Sequence, residues 1–195
     1  VNGAVDYFLS IQRDVTTRSP ESVEPMPYLE TSLQAVRNDS DPVTGAQTYA
    51  SMIACLQRVI DSSIESGTAT GLIKLRCKRL DRLQKVFSLE AVNRLRGDIA
   101  ERLAHVFESD QSLARTDETT FAITTPVPVA FADDADAYLV ARATTLATAV
   151  MAEPFRIGSE AVQMDVAVGI ARTPTDGKDA NALAVLAREA AQRAD

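Results

Sequence analysis

Lys74, Arg76, Lys78, Arg79 and Arg82 crowd one short stretch of the chain, and alternation along an extended backbone sets the first three on a single side. Cations so arranged suit three uses. They can be solvated or paired with nearby acids such as Asp81 and Glu118. Arg76 and Lys78 can form salt bridges to an acid on a neighbouring loop, with Asp117 as the candidate. The same two side chains can bind an anion or a nucleotide without a metal. The second group of interest is Asp117-Glu118-Thr119-Thr120-Phe121, a polar tip ahead of an apolar residue. Other chemistry has little to work with. Cys55 and Cys77 are far apart and form no CxxC pair, so neither a disulfide framework nor a zinc site is expected, and a reducing compartment fits. The single histidine, His105, falls in a helical stretch with no partner for a triad or a metal site and reads as a surface residue.

These groups need elements to position them. From Asp41, apolar Val43, Met52, Ile53, Leu56, Val59, Ile60 and Ile64 recur every three or four residues until Gly67, which predicts an amphipathic helix. Leu72 to Leu75 forms a strand core, with Ile73, Leu75 and Cys77 on one face and Lys74, Arg76 and Lys78 on the other. Leu95, Ile99, Leu103 and Val106 mark the buried stripe of a second helix. Strands at Leu113 to Arg115 and Phe121 to Thr124 flank Thr116 to Thr120 as a hairpin, and a further strand is expected at Val127 to Phe131. Asp133-Asp134 opens a helix with Leu139, Ala143, Leu146 and Val150 inward. Val162, Met164, Val166, Val168 and Ile170 then alternate as one long strand, and an alanine-rich helix spans Asp179 to Ala194. The order, a helix, then β-α-β-β-α-β, then a helix, is a ferredoxin-like α+β plan: a mostly antiparallel sheet with helices packed on it.

Residues 4 to 16 also read as a strand, through Tyr7, Leu9 and Ile11. A single strand cannot stand alone, so its partners are expected upstream, with residues 1–18 as the tail of a preceding domain and 19–40, containing Pro20, Pro25 and Pro27, as a linker. Val1 to Ser10 carries Asp6 and neither a basic start nor an apolar core, so no leader peptide is expected there. No apolar run reaches the roughly 20 residues of a membrane helix. The net charge of −7 argues against a general nucleic-acid binder, which needs surplus Lys and Arg on its docking face. A cytoplasmic setting is expected.

The element order resembles that of GGDEF domains, the diguanylate cyclase family, over residues 41–195. Asp41-Pro42-Val43-Thr44-Gly45 resembles the family's D-x-L-T-G-L-x-N-R, with Thr48 at its Asn and Tyr49 at its Arg. Arg76 to Leu103 aligns without a gap to the stretch from D-x-D-x-F-K to A-x-R-L, which ends here in Ala100-Glu101-Arg102-Leu103. Leu113-Ala114-Arg115-Thr116 with Asp117 to Phe121 occupies the place of A-R-x-G-G-D-E-F, and Ala167-Val168-Gly169-Ile170-Ala171 resembles the S-I-G-x-A strand. Upstream, Asn2-Gly3 with Tyr7 to Thr16 resembles the closing strand of PAS sensor domains, including the flavin-binding LOV branch. In LOV domains the strand glutamine, here Gln12, contacts the flavin, but so short a segment cannot hold one and no cofactor is expected.

The resemblance implies a nucleotide cyclase whose working residues have been exchanged. The family joins two GTP molecules with divalent metal held by carboxylates. In this register its metal-binding positions are Arg76, Thr119 and Thr120, with Lys78 at the second Asp of the strand motif. Two like charges about 4 Å apart repel by about 4 kcal/mol at an effective dielectric of about 20, so a cation there opposes a metal, and none is expected. Asp117 and Glu118 stand at the signature glycines, Gln84 and Asn93 at the guanine-reading positions, and Glu108 and Gln111 at the inhibitory R-x-x-D. The closing helix has Arg188 at its motif's Asp and Asp195 at its phosphate-contacting Lys. The expectation is a catalytically inactive regulatory, dimerising or partner-binding domain of a bacterial cyclic di-GMP signalling protein, beside PAS and EAL domains. The alternative is a residual cyclase or GTP-binding domain with an altered site.

Overall fold

The computed structural model describes residues 11–13, 39–107 and 111–194. A five-stranded sheet in the order β1-β7-β2-β4-β3 forms its centre. The strands are β1 (Ile11–Arg13), β2 (Thr70–Cys77), β3 (Ser112–Arg115), β4 (Thr120–Pro126) and β7 (Val166–Thr173); β5 (Phe155–Ile157) and β6 (Glu160–Val162) form a separate two-stranded hairpin. β2 pairs antiparallel with both β4 and β7, so the functional stretch lies on the central strand, buried along nearly its whole length. The ferredoxin-like expectation is met: β2, β3, β4 and β7 are the four strands of the split β-α-β plan.

Side-chain alternation divides the core between the two sheet faces. Ile73, Leu75 and Cys77 of β2, Phe121 and Ile123 of β4, and Val166, Val168 and Ile170 of β7 meet α3 (Leu89–Ala104) and α4 (Ala135–Met151). The opposite face is narrower in side-chain size. Leu72, Ala122 and Ala171 there meet α1 (Tyr49–Ser66) and α5 (Ala180–Arg193) through Met52, Leu56, Ile60, Leu183 and Ala187. Ala167, Gly169 and Ala171 present almost no side chain on this face, and α5 answers with its own alanines, so helix and strand backbones approach closely. Lys74 and Arg76 belong to this same face, in register with Ala122 and Gly169, and with Thr120 and Ala167, respectively.

Helix boundaries follow local chemistry. Thr48 caps α1 by accepting from the Ser51 N–H at 3.3 Å, and Gly67 ends it in the left-handed conformation at φ 69°. Ser88 caps α3 and Asp179 caps α5 in the same way as Thr48. Three expectations need correction. The first helix does not begin at Asp41, because that carboxylate binds the backbone of Val43 and Thr44 and holds a turn closed by Gly45 at φ 70°. Residues 127–131 are no strand: Pro126 and Pro128 cannot donate to a ladder, and Val129–Asp134 winds into a 310 turn with Phe131 stacked on Tyr138 at 5.0 Å. The long alternation from Val162 to Ile170 belongs to two sheets, since β6 turns back on β5 through Gly158 before the chain enters β7. The short α2 (Leu80–Leu83) was not anticipated.

Of the upstream segment only Ile11–Arg13 is described, and its partner lies downstream rather than upstream: it runs parallel to β7, with Ile11 opposite Val168. The remainder of 1–18, Gln12's side chain and most of 19–40 lie outside the described residues. Among the described residues no helix is long and apolar enough to cross a membrane.

Candidate functional site

The end of β2, the tip between β3 and β4, and the first turns of α3 converge at one pole of the sheet. Arg76 is directly opposite Thr120 on β4, and the Cys77 N–H donates to the Thr119 carbonyl at 2.8 Å, so residues more than forty positions apart share one corner. Arg76 pairs with Asp81 at 3.6 Å, Arg79 with Asp165 at 3.1 Å, and the Lys78 ammonium donates to the Ala194 carbonyl at 3.3 Å. Cys77 is buried, and burial pushes its thiol up to about 12, well away from a reactive thiolate.

The tip is a tight turn held by its own side chains. Asp117 accepts from the Thr119 N–H at 2.8 Å and from its hydroxyl at 3.1 Å, and the Thr116 N–H donates to the Thr120 carbonyl at 3.0 Å. Thr119 and Thr120 are buried and Phe121 enters the core. Glu118 is clasped by two guanidiniums. Arg96, only 1% exposed, makes a close ion pair with its carboxylate and donates to its carbonyl at 3.0 Å, while Arg115 reaches the carboxylate at 3.1 Å. Arg115 in turn is held by both oxygens of Asp41, at 3.1 and 3.2 Å. A continuous ionic chain therefore runs from Asp41 through Arg115 and Glu118 to Arg96 and ends at Asn93, whose amide oxygen accepts from Arg96 at 2.6 Å.

Burial alone would raise the Asp41 carboxyl, but hydrogen bonds from Thr44 and Val43 and the charge of Arg115 hold it below its ordinary value. Asp41 therefore contributes stability that is present above the unfolded carboxyl pKa and is lost as pH falls through the lower folded value. Replacing Asp41 with alanine removes the turn bonds and leaves half-enclosed Arg115 with one acid. A loss of about 1–3 kcal/mol is expected at pH 7, read by urea unfolding, with the gap to wild type closing below about pH 4.

The other expected positions fall apart from this chain. Gln84 caps the C-terminal end of α2 and is exposed. Gln111 donates to the Thr125 hydroxyl at 3.3 Å and accepts from Arg142 at 3.0 Å; Glu108 lies outside the described residues. A groove of about 650 Å3 opens between the 40–47 loop, α3 and the start of β3, with Asn93, Val43 and Gly97 on its walls. Among the described residues no group of three or more His, Cys, Asp and Glu side chains comes together.

Arg96 of this pole was not singled out from sequence, and the burial of Lys74 was not expected. Arg96 sits in the apolar stripe of α3, four after Val92 and three before Ile99, and a cation in that register is the signal that would have found it. Lys74 is 4% exposed, its ammonium lies over the Tyr49 ring at 5.9 Å, and burial first, then the nearby charge of Arg188, lowers it to about 8 against an opposing pull from Asp117.

Several solved structures share this fold. A sensory box/GGDEF family protein from Caulobacter crescentus is 22% identical with a TM-score of 0.74, over 80% of this chain and 97% of that one. The GGDEF domain of FimX from Pseudomonas aeruginosa is 18% identical with a TM-score of 0.70, over 80% and 93%. Diguanylate cyclase SiaD from the same organism, in complex with its activator SiaC, is 18% identical with a TM-score of 0.68, over 85% and 61%. Comparison with curated proteins finds no match. The family model described as "Diguanylate cyclase, GGDEF domain" matches residues 38–195, and with the shared fold this means that the chain belongs to the GGDEF domain family of cyclic di-GMP signalling proteins.

Proposed function

We propose that this GGDEF domain is catalytically silent and serves a cytoplasmic cyclic di-GMP signalling protein as a regulatory, dimerising or partner-binding module. The observation that carries this reading is the clasp on Glu118. Where the family has a glycine that lets backbone approach the triphosphate, this chain has a carboxylate fixed by Arg96 and Arg115. The Glu118 side chain and the guanidiniums that hold it occupy space that a glycine leaves open.

The metal positions agree with this. Arg76 faces Thr120, and the Thr119 hydroxyl is taken up by Asp117, so this donor set does not fit a divalent cation. Asn93, at a guanine-reading position, gives its amide oxygen to Arg96 instead of to a base. What remains is a rigid scaffold of the family's shape. SiaD in complex with its activator SiaC is a relative of this fold that binds a protein partner, and PAS-type and EAL neighbours are the setting inferred for this domain.

Incubation of the chain with GTP and magnesium, followed by chromatography, is expected to yield no cyclic di-GMP above the protein-free blank. Measurable product would overturn the proposal in favour of a residual cyclase.

A further inference from the structure

Val86 and Val129, each 77% exposed, are the most exposed large apolar side chains among the described residues, and they stand at opposite ends of the sheet. Residue 86 follows the end of β2 at Cys77, and residue 129 follows the end of β4 at Pro126. These strands are antiparallel. Arg76 is opposite Thr120 at one end of their ladder and Thr70 is opposite Pro126 at the other, so the segments that leave them start from opposite poles. The Val127 N–H donates to the Ala69 carbonyl at 2.8 Å and holds the second segment at its own end.

Both ends combine exposed apolar groups with charge, and the charges are opposite in sign. At the first, bonds from the Lys85 N–H to the Arg82 carbonyl and from the Val86 N–H to the Leu83 carbonyl wind the chain into helical turns. Leu80 is buried, and Leu83 and Phe87 pack on the core. Arg82, Lys85, Val86 and Leu89, the last 69% exposed, are left facing outward as a ridge. Residues 74–85 hold six cations and one acid in a chain of net charge −7. At the other end, Val129–Asp134 has no buried residue, although Val129, Ala130, Phe131 and Ala132 are apolar. Asp133 and Asp134 complete that turn and are exposed. Among the described residues, Arg82, Lys85, Asp133 and Asp134 make no ion pair with one another or with any other side chain.

The fold keeps the two ends of one copy apart, so each finds its complement on another copy. We infer that the 82–89 ridge of one copy docks on the 129–134 turn of a second, with Val86 and Leu89 against Val129 and Phe131, and Arg82 and Lys85 against Asp133 and Asp134. The contact is heterologous. A docked pair still has one free end of each kind, so copies stack head to tail. A few anchors on each side make a small interface, and the association is weak and concentration-dependent. The inference rests on the association role proposed above, with a second copy as the partner. It stands apart from catalytic silence: product in the cyclase assay would overturn that silence and leave this contact untouched.

The test is sedimentation velocity over a series of protein concentrations. Oligomers are expected to grow with concentration at low salt and to shrink at about 1 M salt, where the screening length falls to about 3 Å. Val86→Asp and Val129→Asp each spoil one end from an exposed position, and each should weaken association about tenfold or more, with circular dichroism as the check on folding. Each variant keeps the end that the other lacks, so an equimolar mixture is expected to form pairs and to stop there. A chain that stays monomeric at millimolar concentration overturns the inference, as does association unchanged in either variant or a mixture that fails to pair. Co-sedimentation with phosphatidylserine vesicles by a chain that does not self-associate overturns it in favour of a membrane-facing ridge.

Discussion

Gly169→Ala is expected to destabilise the domain by about 3–5 kcal/mol and to detach α5 from the sheet. A β-carbon at this position would enter the Ala187 carbonyl oxygen and the Ala191 nitrogen closer than any real contact, and would sit 3.0 Å from the Ala190 carbonyl carbon. All three are backbone atoms of α5, so no rotamer change relieves the clash and the helix must move as a unit. Movement opens the contacts of Leu183, Ala184 and Ala187 with Leu72 and Ala171 beneath them. Urea unfolding monitored by circular dichroism measures the loss. A variant within about 1 kcal/mol of wild type would mean that α5 does not lie on β7 at this point.

Lys74→Met is expected to act in the opposite direction, raising stability at pH 7 by about 1–3 kcal/mol. Lys74 falls from its ordinary 10.5 to about 8 in the fold, which corresponds to about 3 kcal/mol against the charged form at most. Methionine keeps the stem's volume on the α1–α5 face, and its loss of the Tyr49 contact subtracts about 0.5–1 kcal/mol. The sign with pH is fixed by linkage. Between about 8 and 10.5 the unfolded chain holds the Lys74 proton and the folded chain releases it, so wild-type stability from this group rises with pH across that window. The advantage of Lys74→Met is therefore full below about pH 8 and shrinks toward pH 10.5. A variant less stable than wild type at pH 7 would show that the ammonium has a partner in the folded protein.

A lysine that weakens the fold at neutral pH is a poor structural choice among the buried strand residues of this face, which are otherwise alanine, glycine, threonine and leucine.

Much of this arrangement was legible in the residues. Period-two alternation from Ile73 to Cys77 and helical spacing at Leu95, Ile99 and Leu103 gave the correct elements and inward faces, because burial of a fixed stripe is a local property of each element. Asp41 to Gly45 was misread as a helix start because the apolar pattern outweighed the turn chemistry of an Asp with a Gly four residues on. The alternation from Val162 to Ile170 was real in burial but not in pairing, and pairing depends on a partner strand that periodicity does not name.

By itself the sequence determined the split β-α-β plan and put Arg76 on a strand and Asp117 to Thr120 at a hairpin tip. Both follow from spacing within short segments. Only the tertiary structure decided which charges meet: that Glu118 goes to Arg96 and Arg115 rather than to the β2 cations, that Asp41 closes that chain from 74 residues away, and that the Lys74 ammonium lies over the Tyr49 ring. The physical reason is range. Hydrophobic periodicity is read within one element, whereas an ion pair depends on the register between strands and the helices laid across them, and a shift of one residue would hand each charge to the other face.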